Sequence, residues 1–144
     1  MAGRFRALNP GGIAPPFGAY SHGIDDGRLV AVSGQLALDR AGHVPEGVEA
    51  QATLCFEAIA AILAEAGLGL GDVLRFSAFV TRREDMAPYM AARDRALAHL
   101  TVKPASTLMI VGGFTRAEFL VEIEALASHP EDRTPAPRRL GDIG

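Results

Sequence analysis

The sequence predicts one α/β domain of the α+β type, built as a mixed six-stranded sheet with two helices on one face. Three observations indicate this fold. Apolar residues recur at helical spacing in two segments, apolar and β-branched segments between turns indicate strands, and the elements follow the order β-β-β-α-β-α-β-β. The 144 residues are enough for one domain with a substantial core.

The N-terminal third predicts a loop followed by a hairpin. Residues 9–18 contain three prolines and three glycines, which indicate an ordered, turn-rich loop. A short strand is predicted over residues 19–24. Asp25-Asp26-Gly27 then predicts a turn into a strand over residues 29–38, which is apolar on both faces and therefore expected to be buried.

The two helices are predicted over residues 48–66 and 84–100. In the first, apolar residues from Val48 to Ala66 recur at helical spacing, and Gly67 provides a C-terminal stop. Cys55 lies on or beside this apolar stripe, so we interpret the chain's only cysteine as a packing residue. In the second helix, the residues expected to face the core are Met86, Tyr89, Met90, Leu97 and Leu100.

The remaining strands are predicted over residues 72–81, 107–111 and 119–127. In the first of these, the two-residue period is expected to place four apolar side chains on one face: Leu74, Phe76, Ala78 and Val80. The last strand carries two carboxylates, Glu122 and Glu124, on the face opposite Val121 and Ile123. A solvated outer face explains both acids without chemistry, and a catalytic carboxylate is the alternative.

Composition excludes several classes of function. The net charge of −3 leaves no electrostatic footprint for nucleic acid or an anionic membrane. One cysteine and four scattered histidines provide no metal-ligand spacing, and no phosphate-binding glycine pattern opens a helix, so we expect neither a metal nor another cofactor. No segment has the length of a signal peptide or the ~20 apolar residues of a membrane span, which favours a soluble, cytoplasmic protein.

The last sixteen residues, 129–144, are interpreted as a tail that follows a single domain over residues 1–128. They hold three prolines and several charges without a hydrophobic period, and we expect them to be mobile. Within the domain, the strands carry more apolar surface than two helices can cover. This surplus predicts a closed homo-oligomer.

Four segments of the chain resemble the Rid family (YjgF/YER057c/UK114) of reactive-intermediate deaminases. They are Ala19-Tyr20-Ser21-His22, Val32-Ser33-Gly34-Gln35, Lys103-Pro104-Ala105-Ser106-Thr107 and Val121-Glu122-Ile123-Glu124-Ala125. The resemblance spans Leu8 to Ala127. It implies a chorismate-mutase-like fold and a homotrimer in which each ligand cleft lies between neighbouring subunits.

The resemblance also implies a reaction and a set of site residues. Active deaminases of this family hydrolyse a 2-imino acid, or its enamine tautomer, to a 2-oxo acid and ammonia without a cofactor. An arginine clamps the substrate carboxylate, and a strand glutamate holds the attacking water. The matching glutamate here is Glu122, with Glu124 as the second candidate, and Tyr20, Ser33 and Thr107 are expected in the cleft.

Two residues of the first matching segment have two interpretations each. Tyr20 is either a hydrogen-bond donor in the cleft or an anchor for the preceding loop. His22 either assists proton transfer or is a surface or packing residue.

The chain departs from the family pattern at the clamp. Ser106 stands in the position of the arginine, Met90 in that of a helix asparagine, and Leu108 in that of a thiol. A serine cannot form the bidentate pair, whose loss from a buried site costs on the order of 2–5 kcal/mol. Arg116, in a glycine-rich loop, is our candidate for a displaced cation. It ranks ahead of three arginines that we interpret as solvated helix or strand ends, namely Arg82, Arg83 and Arg93.

Two classes of function follow. The first is a cofactor-free hydrolase that acts on a small imine, enamine or related carbonyl compound. The second is a non-catalytic trimer of the same fold that binds a small molecule or another protein. An RNA-acting translation inhibitor or endoribonuclease comes third, because the chain lacks a basic stripe with stacking aromatics.

Overall fold

The computed structural model describes residues 3–131, so most of the predicted tail lies outside the described residues. The first residue of the predicted tail, His129, donates its backbone N–H to the Arg28 carbonyl at 2.9 Å. The strands are β1 (Arg6–Leu8), β2 (Gly23–Asp25), β3 (Leu29–Leu36), β4 (Val73–Val80), β5 (Ala105–Ile110) and β6 (Val121–Ser128). The helices are α1 (Val48–Ala64) and α2 (Met86–Ala96). The predicted order of elements is confirmed.

The six strands form one mixed sheet in the order β1-β2-β3-β6-β4-β5. Only β4 and β5 are parallel, and α2 provides the crossover between them. The other neighbouring pairs are antiparallel. This order places β6 inside the sheet and leaves β5 at its edge.

The core lies between one face of the sheet and the two helices. α1 packs against β3, β6 and α2. Phe56 of α1 contacts Phe76 of β4 and Tyr89 of α2, with ring centroids 5.3 and 6.3 Å apart. Val121 and Ile123 of β6 are fully buried on the same side. The predicted sheet with two helices on one face is therefore confirmed.

The sheet face opposite the helices is open in the single chain. Leu29 and Met109 are 41% and 54% exposed there, although both are large apolar residues. The strand over residues 29–38 was expected to be buried on both faces, and this is wrong for the single chain. Val30, Val32 and Ala37 reach the core, while Leu29 and Ala31 face outward.

Two further expectations about apolar residues were wrong. A register irregularity between Val73 and Arg75 shifts the alternation of β4, so that Val73 is buried and Leu74 is 50% exposed. Met90 is 38% exposed rather than in the core. It is one helical position beyond the buried Tyr89, and a step of one residue rotates the side chain away from the α1 contact.

Candidate functional site

Glu122 lies on the open face of the sheet, between Leu36 of β3 and Phe79 of β4. The adjacent strand β3 has an irregular register between Val32 and Gln35, which leaves Ser33 and Gly34 outside the regular pairing. A Cβ atom on Gly34 would lie 2.0 Å from Glu122 Oε1. The carboxylate therefore rests directly on the backbone of β3, in space that only glycine leaves open.

The environment of Glu122 changes its acidity. Its side chain is half-buried, and burial raises the pKa of the carboxyl group above its ordinary value. The negative charge of Glu124, on the same face, raises it further. Glu124 itself is exposed. Glu122 is thus a stronger base than an ordinary glutamate and is partly shielded from water.

Ser33 directly precedes Gly34 in β3, and Tyr20 lines a small pocket together with Gly34. Ser33 donates its hydroxyl to the Ser21 carbonyl at 2.7 Å, so its oxygen is left to accept a bond from a ligand. Tyr20 is 45% exposed, and its hydroxyl oxygen accepts the Phe17 N–H at 3.1 Å. That bond anchors the loop while the phenolic proton stays available for donation. The two interpretations of Tyr20 are compatible.

His22 is a packing residue. It is buried, and its Nε2 lies 2.7 Å from the Ala14 carbonyl, which can only accept a hydrogen bond. On the other side, the Gln35 amide nitrogen lies 3.2 Å from Nδ1 and also donates to the Ser33 carbonyl. These partners suit an imidazole whose Nε2 donates and whose Nδ1 accepts. The imidazole thus links the turn-rich loop over residues 9–18 to β3 through these hydrogen bonds.

Cys55 is also a packing residue, as predicted. Its thiol is fully buried and donates to the Gln35 carbonyl at 3.2 Å. Burial raises the pKa of the thiol far above its ordinary value. A thiol that stays protonated is a poor nucleophile, so Cys55 has no catalytic part.

Ser106 lies on the other side of the sheet from Glu122. Ser106 pairs with Phe76, which faces the helices, whereas Thr107 pairs with Ser77 and lies on the open face with Glu124. Ser106 borders a cavity of about 470 Å³ between α2 and β5. Its lining residues are Arg93, Asp94, Leu97, Lys103, Pro104 and Ser106. One subunit therefore does not bring Ser106 and Glu122 together.

The arginines named from the sequence have different partners in the structure. Arg116 stacks on the Phe119 ring at 5.5 Å and forms a loose ion pair with Glu118 at 3.5 Å. Phe119 contacts Phe17, which binds Tyr20, so Arg116 belongs to the Tyr20 end of the molecule. Arg82 is bound to the Asp85 carboxylate by two hydrogen bonds.

Two cations line the cavity with Ser106: Arg93, which the sequence ranked below Arg116, and Lys103. Lys103 and Tyr89 were not considered as site residues at all. The signal for Lys103 was its position in the same matching segment as Ser106. The spacing of Tyr89 predicted a helical core position. It did not indicate that the Tyr89 hydroxyl would lie near Ser106. No group of three potential metal ligands occurs among residues 3–131.

Comparison with known proteins agrees with this geometry. The family model described as Endoribonuclease L-PSP matches residues 12–129. The chain belongs to this family, the YjgF/Rid family. It is 35% identical over 112 residues to the 2-iminobutanoate/2-iminopropanoate deaminase of Salmonella typhimurium, which covers 76% of this chain and 87% of the relative.

Solved structures of Rid-family proteins share the fold. The structure of Escherichia coli TdcF with bound serine superposes with a TM-score of 0.82 and is 27% identical, covering 87% of this chain and 99% of that one. A Vibrio vulnificus protein named as a translation initiation inhibitor has a TM-score of 0.80 at 26% identity, covering 86% and 99%. The chorismate-mutase-like fold of the family is therefore confirmed. Within the described part of this Rid-family chain, no helix has the length and apolar character that a membrane crossing requires.

Proposed function

We propose that this Rid-family protein is a cofactor-free hydrolytic deaminase that acts on a small imine or enamine in a cleft between subunits. The observation that carries the proposal is the Glu122 carboxylate, half-buried and resting on the backbone at Gly34 with a raised pKa. A carboxylate in this state holds a water molecule and accepts its proton near neutral pH better than an exposed glutamate does.

The proposed reaction needs only water as a second reactant. Glu122 takes a proton from the water, whose oxygen attacks the imine carbon, and passes this proton to the nitrogen to give a carbinolamine. Glu122 then takes the proton of the new hydroxyl group and delivers it to the amino group, the C–N bond breaks, and ammonia leaves as the carbonyl forms. The hydroxyl of Tyr20 and the oxygen of Ser33 supply a donor and an acceptor near the reacting atoms.

The opposite placement of Ser106 and Glu122 supports a cleft made by two copies. A ligand that contacts both residues has to lie between the open face of one subunit and the α2–β5 side of another. The exposed apolar residues of the open face favour such packing. We propose a homotrimer, the closed assembly that the family resemblance implies. A stable monomer in sedimentation at micromolar concentration would contradict it.

The names of the relatives support the same chemistry. The Salmonella relative is named for 2-iminobutanoate and 2-iminopropanoate, and the TdcF structure contains serine. These three compounds are small and carry a carboxylate. A small 2-imino acid is accordingly the substrate class that we propose for this chain.

The test is ammonia release from freshly generated 2-iminobutanoate, measured against the spontaneous rate. Glu122→Gln is expected to reduce turnover by about 100-fold and leave ligand binding in place, because the amide keeps the shape and loses the basicity. The matched control is Glu57→Gln, which changes an exposed glutamate on α1. Equal turnover by wild type and Glu122→Gln would overturn the assignment of Glu122.

Ser106 favours a second candidate, a non-catalytic trimer that binds a small molecule or a protein. A serine in place of the clamp arginine removes the main anchor for a carboxylate. This candidate would be preferred if the wild type bound a small ligand in the same cleft and released no ammonia from any 2-imino acid.

A further inference from the structure

The cavity between α2 and β5 holds two cations next to Ser106. Arg93 and Lys103 both line it, and Arg93 is only 24% exposed in its side chain. Lys103 donates one Nζ proton to the Leu97 carbonyl at 2.7 Å, which fixes the ammonium at the cavity and leaves its other protons available. The volume of about 470 Å³ is within the range of pockets that hold small ligands.

A buried hydroxyl group, that of Tyr89, lies behind Ser106. Tyr89 is fully buried, and its hydroxyl makes no hydrogen bond among the described residues. Burial raises the pKa of Tyr89 to about 12, while Arg93 and Ser106 act in the opposite direction from close by. A buried hydroxyl normally has a hydrogen-bond partner. Ser106 is the neighbour that can accept from Tyr89, and its own hydroxyl proton is then directed to a ligand in the cavity that Ser106 lines.

One carboxylate of the chain competes for this site. Asp94 lines the cavity, and its Oδ1 accepts a hydrogen bond from Arg93 Nε at 3.0 Å and lies 2.9 Å from Nη2 in an ion pair. Asp94 is 69% exposed in its side chain, so its pairing with Arg93 is open to water and weak. The Nη1 group of Arg93 is not used in this pair. With Arg93, Lys103 and Asp94 counted together, the cavity is left with an excess of positive charge.

We propose that Arg93 and Lys103 together bind the carboxylate of the ligand in this chain and replace the arginine that Ser106 lacks. This inference rests on the proposed function for the identity of the ligand, a small 2-imino or 2-oxo acid. The hydroxyl group of Ser106 donates to the same carboxylate. Two cations from α2 and the following loop thus do what one bidentate side chain does in the family pattern.

The experiment measures binding of 2-oxobutanoate to the full chain by isothermal titration calorimetry, with 2-butanone as the uncharged comparison. Arg93→Gln and Lys103→Gln are each expected to weaken 2-oxobutanoate binding by at least about 10-fold. Asp94→Asn is expected to strengthen it by about 3-fold, because the competing carboxylate is removed. Misfolding cannot produce this gain. Arg28→Gln, at an exposed arginine beside β3, is the matched control and is expected to bind normally.

The outcomes separate this inference from the proposed function. Ammonia release and 2-oxobutanoate binding that are both unchanged in Arg93→Gln and Lys103→Gln would overturn the inference and leave the deaminase intact. Binding that depends on Arg93 and Lys103 without ammonia release by wild type would support the inference and overturn the deaminase. Equal affinity for 2-oxobutanoate and 2-butanone would also overturn the inference, because the cavity would then not recognise charge.

Discussion

Because Glu122 lies so close to Gly34, we predict that Gly34→Ala displaces the Glu122 carboxylate. Gly34 is not among the glycines with positive φ, so alanine can adopt its backbone conformation. The added Cβ would lie 2.0 Å from Glu122 Oε1 and 2.8 Å from Cδ. Real Cβ contacts do not fall below 3.0 Å, so the carboxylate must move by at least about 1 Å.

That displacement is expected to lower the turnover rate while leaving the stability of the fold nearly unchanged. A misplacement of about 1 Å in a catalytic group costs on the order of 100-fold in rate. The fold should be nearly unaffected, since a side chain forced off its rotamer costs about 0.5–1.5 kcal/mol and the glycine-to-alanine change returns about 0.4–1 kcal/mol through the unfolded chain. The predicted change in Tm is therefore at most a few degrees.

Ammonia release from 2-iminobutanoate and thermal unfolding are the two measurements. Because Gly34→Ala acts through Glu122, the double variant Gly34→Ala/Glu122→Gln should be no slower than Glu122→Gln alone. Gly23→Ala is a useful contrast, since its Cβ would lie 2.7 Å from Ile62 Cγ2 in the core and should lower Tm instead. Turnover of Gly34→Ala within 3-fold of the wild type would refute the reasoning, provided that Glu122→Gln is inactive.

Three further predictions concern the cleft and the chain end. Ser106→Arg should tighten 2-oxobutanoate binding by about 10-fold in calorimetry, and a variant that assembles normally without this gain would show that position 106 does not face the ligand. Glu124→Gln should lower the pKa of Glu122, because the neighbouring negative charge is removed. Glu122 then stays ionised to lower pH, so the acid limb of the pH profile of kcat/KM should move to lower pH, and an unmoved limb would contradict this. Deleting residues 132–144 should change Tm by less than about 5 °C, and a larger loss would show that the tail contributes to the fold.

The helices and strands that have one clear apolar face could be predicted from the sequence. The helical spacing from Val48 onward and the alternation in β6 each have one dominant apolar face, and that face packs into the core. Leu74 was misplaced because a bulge is a property of the pairing between two strands. Local alternation carries no information about it.

The same reasoning predicted only part of the candidate site. Residues in one segment share a face by their period, so the relation between Glu122 and Glu124 followed directly from the sequence. Whether Ser106 lies near Arg93 or near Arg116 depends on the strand order, which puts β4 between β5 and β6, and on the packing of α2 beside β5. Charge and loop composition favoured Arg116, but three-dimensional packing puts Arg93 at Ser106.

The burial of Cys55 gives this protein an internal reporter of unfolding. It is the only thiol in the chain, it is fully buried between α1 and β3, and it is protonated in the folded state. Thiol-labelling reagents can react only with molecules in which α1 has separated from the sheet. The rate of labelling under native conditions therefore measures the opening of the core directly, without an added probe, and a bound ligand that stabilises the closed form should slow it in proportion to its occupancy.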